Sequence, residues 1–176
     1  MKKILTVFVI FFLALSSQYA NAQLKGFRIG LGLEGALPSG NFSNIYSGGG
    51  GLSARLEIRP THNLAFNATV GGMLFAPKSG NGIRTLVNIP VKVGAKYILV
   101  GHLYGMLELG NTHSLAYYYS NGSVTHTSNN SFTYAPSVGV QLIGFDIGLR
   151  YETFGSLSST SSGNNSFLGL RLGFGL

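Results

Sequence analysis

Leu52-Ser53-Ala54-Arg55-Leu56-Glu57-Ile58-Arg59 alternates apolar residues with polar or charged ones at every step. Successive side chains of a strand point to opposite faces, so this octet builds one aliphatic face and one ionic face. A helix would bring apolar residues together three and four apart, and here they are two apart. The same rhythm runs through Phe27-Arg28-Ile29-Gly30-Leu31-Gly32-Leu33-Glu34 and through Val87, Ile89, Val91, Val93, Ala95, Tyr97 and Leu99.

Followed along the chain, the pattern predicts eight strands, at roughly 27–37, 50–59, 64–76, 85–99, 102–118, 131–143, 145–157 and 165–176. Each meets the roughly 9–11 residues that a tilted strand needs to cross a bilayer. Pro60-Thr61-His62-Asn63, Val100-Gly101 and Ile143-Gly144 read as tight turns. Segments 38–49, 77–84, 119–130 and 158–164 read as longer loops, rich in Ser, Asn and Gly. Short turns on one side and long loops on the other predict an all-β, eight-stranded antiparallel up-and-down transmembrane barrel. Its first strand runs outward, and both termini lie on the inner side.

The charges sharpen this reading. Arg28, Glu34, Arg55, Glu57, Arg59, Lys92, Lys96, Glu108, Asp146, Arg150, Glu152 and Arg171 all fall in the register opposite the Leu/Ile/Val/Phe one. Lys25, Lys78 and Arg84 lie outside the strands. The aliphatic register carries no charge in any strand, as lipid demands, because Lys or Arg at the bilayer midplane costs roughly 2–4 kcal/mol. Gly30, Gly32, Gly71, Gly94, Gly110, Gly139, Gly148, Gly169 and Gly173 share the ionic register and leave room for long side chains in a narrow lumen. Counting along each strand puts Glu34, Arg55, Lys92, Glu108, Arg150, Glu152 and Arg171 in a central band, a lumen plugged by paired charges.

The N-terminus reads as an address. Met1-Lys2-Lys3 is basic, Ile4–Leu15 is apolar, and Ala20-Asn21-Ala22 is the small-x-small pattern before a cleavage site. Twelve apolar residues are too few for a spanning helix, which needs about 20. Residues 1–22 are therefore expected to be a signal peptide cleaved after Ala22, and 23–176 a single barrel domain of an exported, outer-membrane protein. The 176-residue chain has no Cys, which excludes disulfides, thiol catalysis and a Cys-linked lipid anchor. Only 10% of residues are charged, with a formal net charge of +7.

The stretch Leu86-Val87-Asn88-Ile89-Pro90-Val91-Lys92-Val93-Gly94-Ala95-Lys96-Tyr97 resembles the "L-x-I-P-L-x-x-K-Y" strand of the Bacteroidota outer membrane protein beta-barrel domain group, which includes PorT-like proteins. The chain also resembles the eight-stranded barrels of the OmpA and OmpX type. It departs from proteobacterial barrels in ending on Leu176 instead of an aromatic residue. The resemblance implies insertion by the barrel-assembly machinery. It also implies outer-membrane lipid and lipopolysaccharide as surroundings. No peptidoglycan-binding domain is expected after the last strand.

Other motifs have plainer readings. Gly30-Leu31-Gly32-Leu33-Glu34-Gly35 matches G-x-G-x-x-G, but Pro38-Ser39-Gly40 follows where a helix is needed. His62, His102, His113 and His126 are scattered, without ligand spacing. His126-Thr127-Ser128 matches the H-x-S pair of lipid A deacylases, yet is expected in a loop, far from any acid. Lys78 and Arg84 could meet lipopolysaccharide phosphates. Tyr117, Tyr118, Tyr119, Phe132 and Tyr134 predict an outer aromatic girdle, and Tyr97, Phe145 and Phe174 an inner one. The expectation is a non-enzymatic protein with no catalytic, cofactor or metal site and no nucleic-acid partner. Its role would be structural or in surface interaction. A small channel, a secretion-system accessory and a lipid A-modifying enzyme are the alternatives.

Overall fold

A computed structural model describes residues 26–78, 83–120, 123–155 and 164–175. The proposed signal peptide, Lys25 and Leu176 lie outside them. Eight strands form the wall: β1 (Phe27–Ser39), β2 (Tyr46–Ile58), β3 (Leu64–Pro77), β4 (Ile83–Val100), β5 (Leu103–Ser120), β6 (Ser123–Gln141), β7 (Phe145–Phe154) and β8 (Asn165–Gly175). A single helical turn, α1 (Phe42–Ile45), sits between β1 and β2.

Each strand pairs antiparallel with the next, and β8 closes onto β1, from Gly30↔Gly175 to Ser39↔Ser166. Closure removes both sheet edges through the body of the wall. Gly101 and Gly144 take positive φ, at 59° and 79°, in the tight turns before β5 and β7, a conformation that glycine adopts without steric cost. The β3–β4 register keeps no pairs for Gly71 and Gly72. Pro90 stands opposite, and has no N–H to donate.

The alternation assigns faces as expected. Leu31, Leu33, Leu52, Val93, Leu107, Leu149 and Leu172 all point outward and are exposed. Glu34, Arg55, Glu57, Lys92, Lys96, Glu108, Asp146, Arg150, Glu152 and Arg171 are buried in the lumen, and Arg28 and Arg59 are half-buried there. Phe132 and Tyr134 are exposed towards the long-loop end. Tyr97, Phe145 and Phe174 are exposed towards the short-turn end, with Phe145 and Phe174 at 5.4 Å. Tyr117 is half-buried, and the side chains of Tyr118 and Tyr119 lie outside those described.

Several loop expectations are corrected. Pro38 and Ser39 belong to β1, Pro77 to β3, and Ile83 and Arg84, expected outside the strands, to β4. Residues 46–49 belong to β2, not to a loop. The expected loop at 119–130 is almost all strand: β5 and β6 stay in one register from Leu103↔Val140 to Ser120↔Ser123. Ser and Asn are weak strand formers, but the unbroken ladder satisfies their backbone groups, and Val124, Thr125 and Thr127 favour extended backbone. The loop at 158–164 lies outside the described residues up to 163.

Candidate functional site

The lumen holds the chain's chemistry, and its charges form a closed ring. Glu152 meets Lys92 in a very short contact, and Lys92 lies 3.9 Å from Glu108. Glu108 faces Arg55 at 3.8 Å, and Arg55 faces Asp146 at 3.6 Å. Arg171 bridges Asp146 at 3.0 Å and Glu34 at 3.5 Å. Arg150 completes the circuit, 3.2 Å from Glu34 and 2.8 Å from Glu152. Four cations and four acids alternate, contributed by β1, β2, β4, β5, β7 and β8. The ring is neutral.

Neutral donors complete the shell. Glu108, fully buried, accepts hydrogen bonds from Asn67 Nδ2 and Thr69 Oγ1, both at 2.6 Å. Ser53 donates to Glu34 at 2.5 Å. The Tyr104 hydroxyl donates to Asp146 Oδ1 at 3.1 Å. A branch runs from Asp146 towards the short-turn end: Lys96 lies 3.5 Å from Asp146 and 2.5 Å from Glu57, which also pairs with Arg59 at 2.6 Å.

The expected central band is present, with one addition. Asp146 joins it, although it opens β7 beside the short turn. Neighbouring barrel strands are staggered, so positions counted along single strands do not share a level. The long side chains of Arg55 and Arg171 reach Asp146 across that stagger.

The lumen has a second layer that the strand pattern does not predict. Above the ring, at the long-loop end, Phe42, Tyr46, Phe75, Phe154 and Phe167 pack inside the barrel with Met73 and Leu86. Phe42, delivered by α1, is fully buried, with ring centroids 5.0 Å from Phe75 and 5.4 Å from Phe154. Arg150 joins the layers, stacking 5.7 Å from the Phe167 ring. Phe75, Phe154 and Phe167 share the lumen register, so the signal was there. Phe42 had none, since it reaches the lumen from a connection.

Glycine makes the ionic packing possible. A Cβ at Gly32 would lie 2.7 Å from Arg171 Nε, and one at Gly173 would overlap the same guanidinium. At Gly148 the obstacle is a single atom, the Tyr104 hydroxyl oxygen at 2.7 Å, with the ring carbon behind it at 3.8 Å. Gly148→Ala should therefore cost about 1–3 kcal/mol by overpacking. In a Tyr104→Phe background that cost should fall close to zero. A urea-unfolding double-mutant cycle checks this.

His126 and Ser128 lie on β6, not in a loop, and both are exposed. The Tyr117 ring lies 6.3 Å from that of His126. All five acids of the chain are in the lumen, so the outward face has none to orient a histidine base. His113 Nδ1 shares a hydrogen bond with Asn130 Oδ1 at 2.8 Å. His62 and His102 are exposed at short turns. Gly30–Gly35 is strand throughout, and no helix follows it in the manner of a phosphate-binding turn.

No family model and no curated protein matches the chain. Among solved structures, it is similar to Ail, the attachment invasion locus protein of Yersinia pestis. The TM-score is 0.63 at 15% identity, covering 87% of this chain and 100% of Ail. It is also similar to the N-terminal β-barrel domain of Pseudomonas aeruginosa OprF, with TM-score 0.59, 10% identity, and 85% and 97% covered. Neisserial surface protein A gives TM-score 0.55, 15% identity, and 85% and 97% covered. At these identities the likeness is one of fold: the chain is a closed, eight-stranded, all-antiparallel β-barrel similar to the small outer-membrane barrels.

Proposed function

We propose that this chain is an integral outer-membrane protein without catalytic activity. It would hold a sealed lumen and present its long-loop end to the exterior for structural or surface-interaction roles. The observation that carries this reading is the inverted distribution of polarity: the outward face is aliphatic on every strand, while the interior is ionic. A water-soluble barrel has no use for a charged core wrapped in exposed Leu, Ile, Val and Phe. Lipid on the outside turns the same distribution into the favourable one.

The sealed lumen favours a non-conducting barrel over a channel, since the ionic ring and the aromatic layer lie in series. The element best suited to surface contact is the β5–β6 hairpin. Described pairing of β6 with β7 begins only at Thr133, whereas β6 pairs with β5 back to Ser123. The hairpin extends past the described end of β7 and carries exposed His126, Ser128 and Asn130. Lys78 is exposed after β3 and in this reading would meet lipopolysaccharide phosphates; the side chain of Arg84 lies outside those described. Export through a signal peptide cleaved after Ala22, insertion by the barrel-assembly machinery, and kinship with the PorT-like group belong to the same proposal. That kinship rests on the 86–97 strand.

Two measurements on the outer-membrane fraction and the purified protein test it. Unboiled samples should migrate differently from boiled ones on an SDS gel, and planar bilayers should show no conductance steps. A soluble periplasmic protein without that shift would overturn the membrane reading. Stable, reproducible conductance would overturn the sealed lumen.

A further inference from the structure

The lumen is not electrically balanced, and its imbalance is localised. It holds seven cations and five acids. The ring is neutral, so the surplus belongs to the short-turn side. There Lys96 and Arg59 share Glu57, and Arg28 has no carboxylate within salt-bridge reach. Three guanidinium nitrogens in this region are buried and make no hydrogen bond: Arg28 Nη2, Arg171 Nη2, and Arg55 Nη1, which has only Asp146 Oδ1 at ion-pair distance, 3.6 Å. Arg55 and Arg171 are each only 5% exposed. A buried guanidinium nitrogen without an acceptor is costly, and native interiors rarely leave one so.

All three arginines line the same cavity, together with Lys96, Glu57 and Asp146. The formal charge of these six groups is positive by two. The cavity has a volume of about 20 Å³, which is room for one small particle. An acceptor carrying negative charge satisfies the free N–H groups and the surplus charge together. A water satisfies only the first.

We propose that the short-turn end of the lumen binds one small monovalent anion, of halide size, between Arg28, Arg55 and Arg171. The ion lies beneath the neutral ring and completes its charge balance from the side of the chain termini. The cavity volume matches an ion of halide size.

The test uses the folded barrel in detergent, with bromide as the crystallographic probe. An anomalous peak among the three guanidinium groups is expected. In parallel, thermal unfolding is followed at constant ionic strength while gluconate, a much bulkier anion, is replaced by chloride. The midpoint should rise saturably by about 2 °C or more. Arg28→Gln should lose most of that rise while keeping its heat-modifiable gel shift. If Arg28→Gln does not fold, Arg28→Lys replaces it, and the wild-type bromide map decides independently. Bromide found only at exposed lysines, or a chloride dependence unchanged by the Arg28 substitution, would overturn the site.

Discussion

Leu33→Arg should cost the barrel about 2–4 kcal/mol of folding free energy in a bilayer, one of the two largest effects expected of a single substitution. Leu33 points outward from the middle of β1 and is 62% exposed. Its cross-strand neighbours are Leu52 on β2 and Leu172 on β8, so no polar group is at hand to receive a guanidinium. The same substitution at an exposed position facing water would change stability by only about 0.5 kcal/mol in either direction. Urea unfolding in lipid vesicles separates the two cases. Leu37→Arg, nearer the long-loop rim, supplies the depth control and should cost about 0–1 kcal/mol. Equal and negligible effects at both positions would mean that the outward face is wetted, and the membrane proposal would fail.

Glu108→Gln should be comparably damaging, at about 3–5 kcal/mol. The side chain keeps its size, so packing is preserved and the change is electrostatic. Arg55 and Lys92, at 3.8 and 3.9 Å, lose a shared counter-charge in a site closed to solvent. Asn67 and Thr69, which both donate to Glu108 Oε1, would meet an amide instead. The ring need not contribute much net stability for this to hold, because desolvation offsets most of the Coulombic attraction in a buried network. The penalty arises from leaving cations unmatched. Lys92→Met, added to Glu108→Gln, should therefore recover part of the loss, with Glu152 still held by Arg150 at 2.8 Å. A double variant as unstable as the sum of the single ones would show that Lys92 and Glu108 are not coupled.

The legibility of this chain follows its periodicity. All twelve charges of the lumen register are found there, and the same register carries nine glycines. Gly32, Gly148 and Gly173 prove to be the spaces into which Arg171 and Tyr104 fit. The 119–130 stretch was misread because Ser, Asn and Gly are common to loops and to polar hairpin tips, and single-strand propensity does not separate them. The aromatic layer was missed although Phe75, Phe154 and Phe167 sit in the lumen register, since nothing in their own strands shows that Phe42 comes down to meet them.

By itself, the sequence determined which face each strand residue takes, because side chains alternate with period two and one misplaced charge on the outer face is expensive. Strand number and antiparallel order followed from the spacing of the turns. Tertiary structure alone decided which charges meet. Lys92 and Glu152 are 60 residues apart, and Asn67 and Glu108 are 41 apart. Their heights in the lumen depend on the stagger that accumulates from strand to strand until β8 closes on β1. That stagger is a property of the whole hydrogen-bonded cylinder. It brought Asp146 into the ring and set Arg28 beside a cavity whose positive charge the local pattern did not reveal.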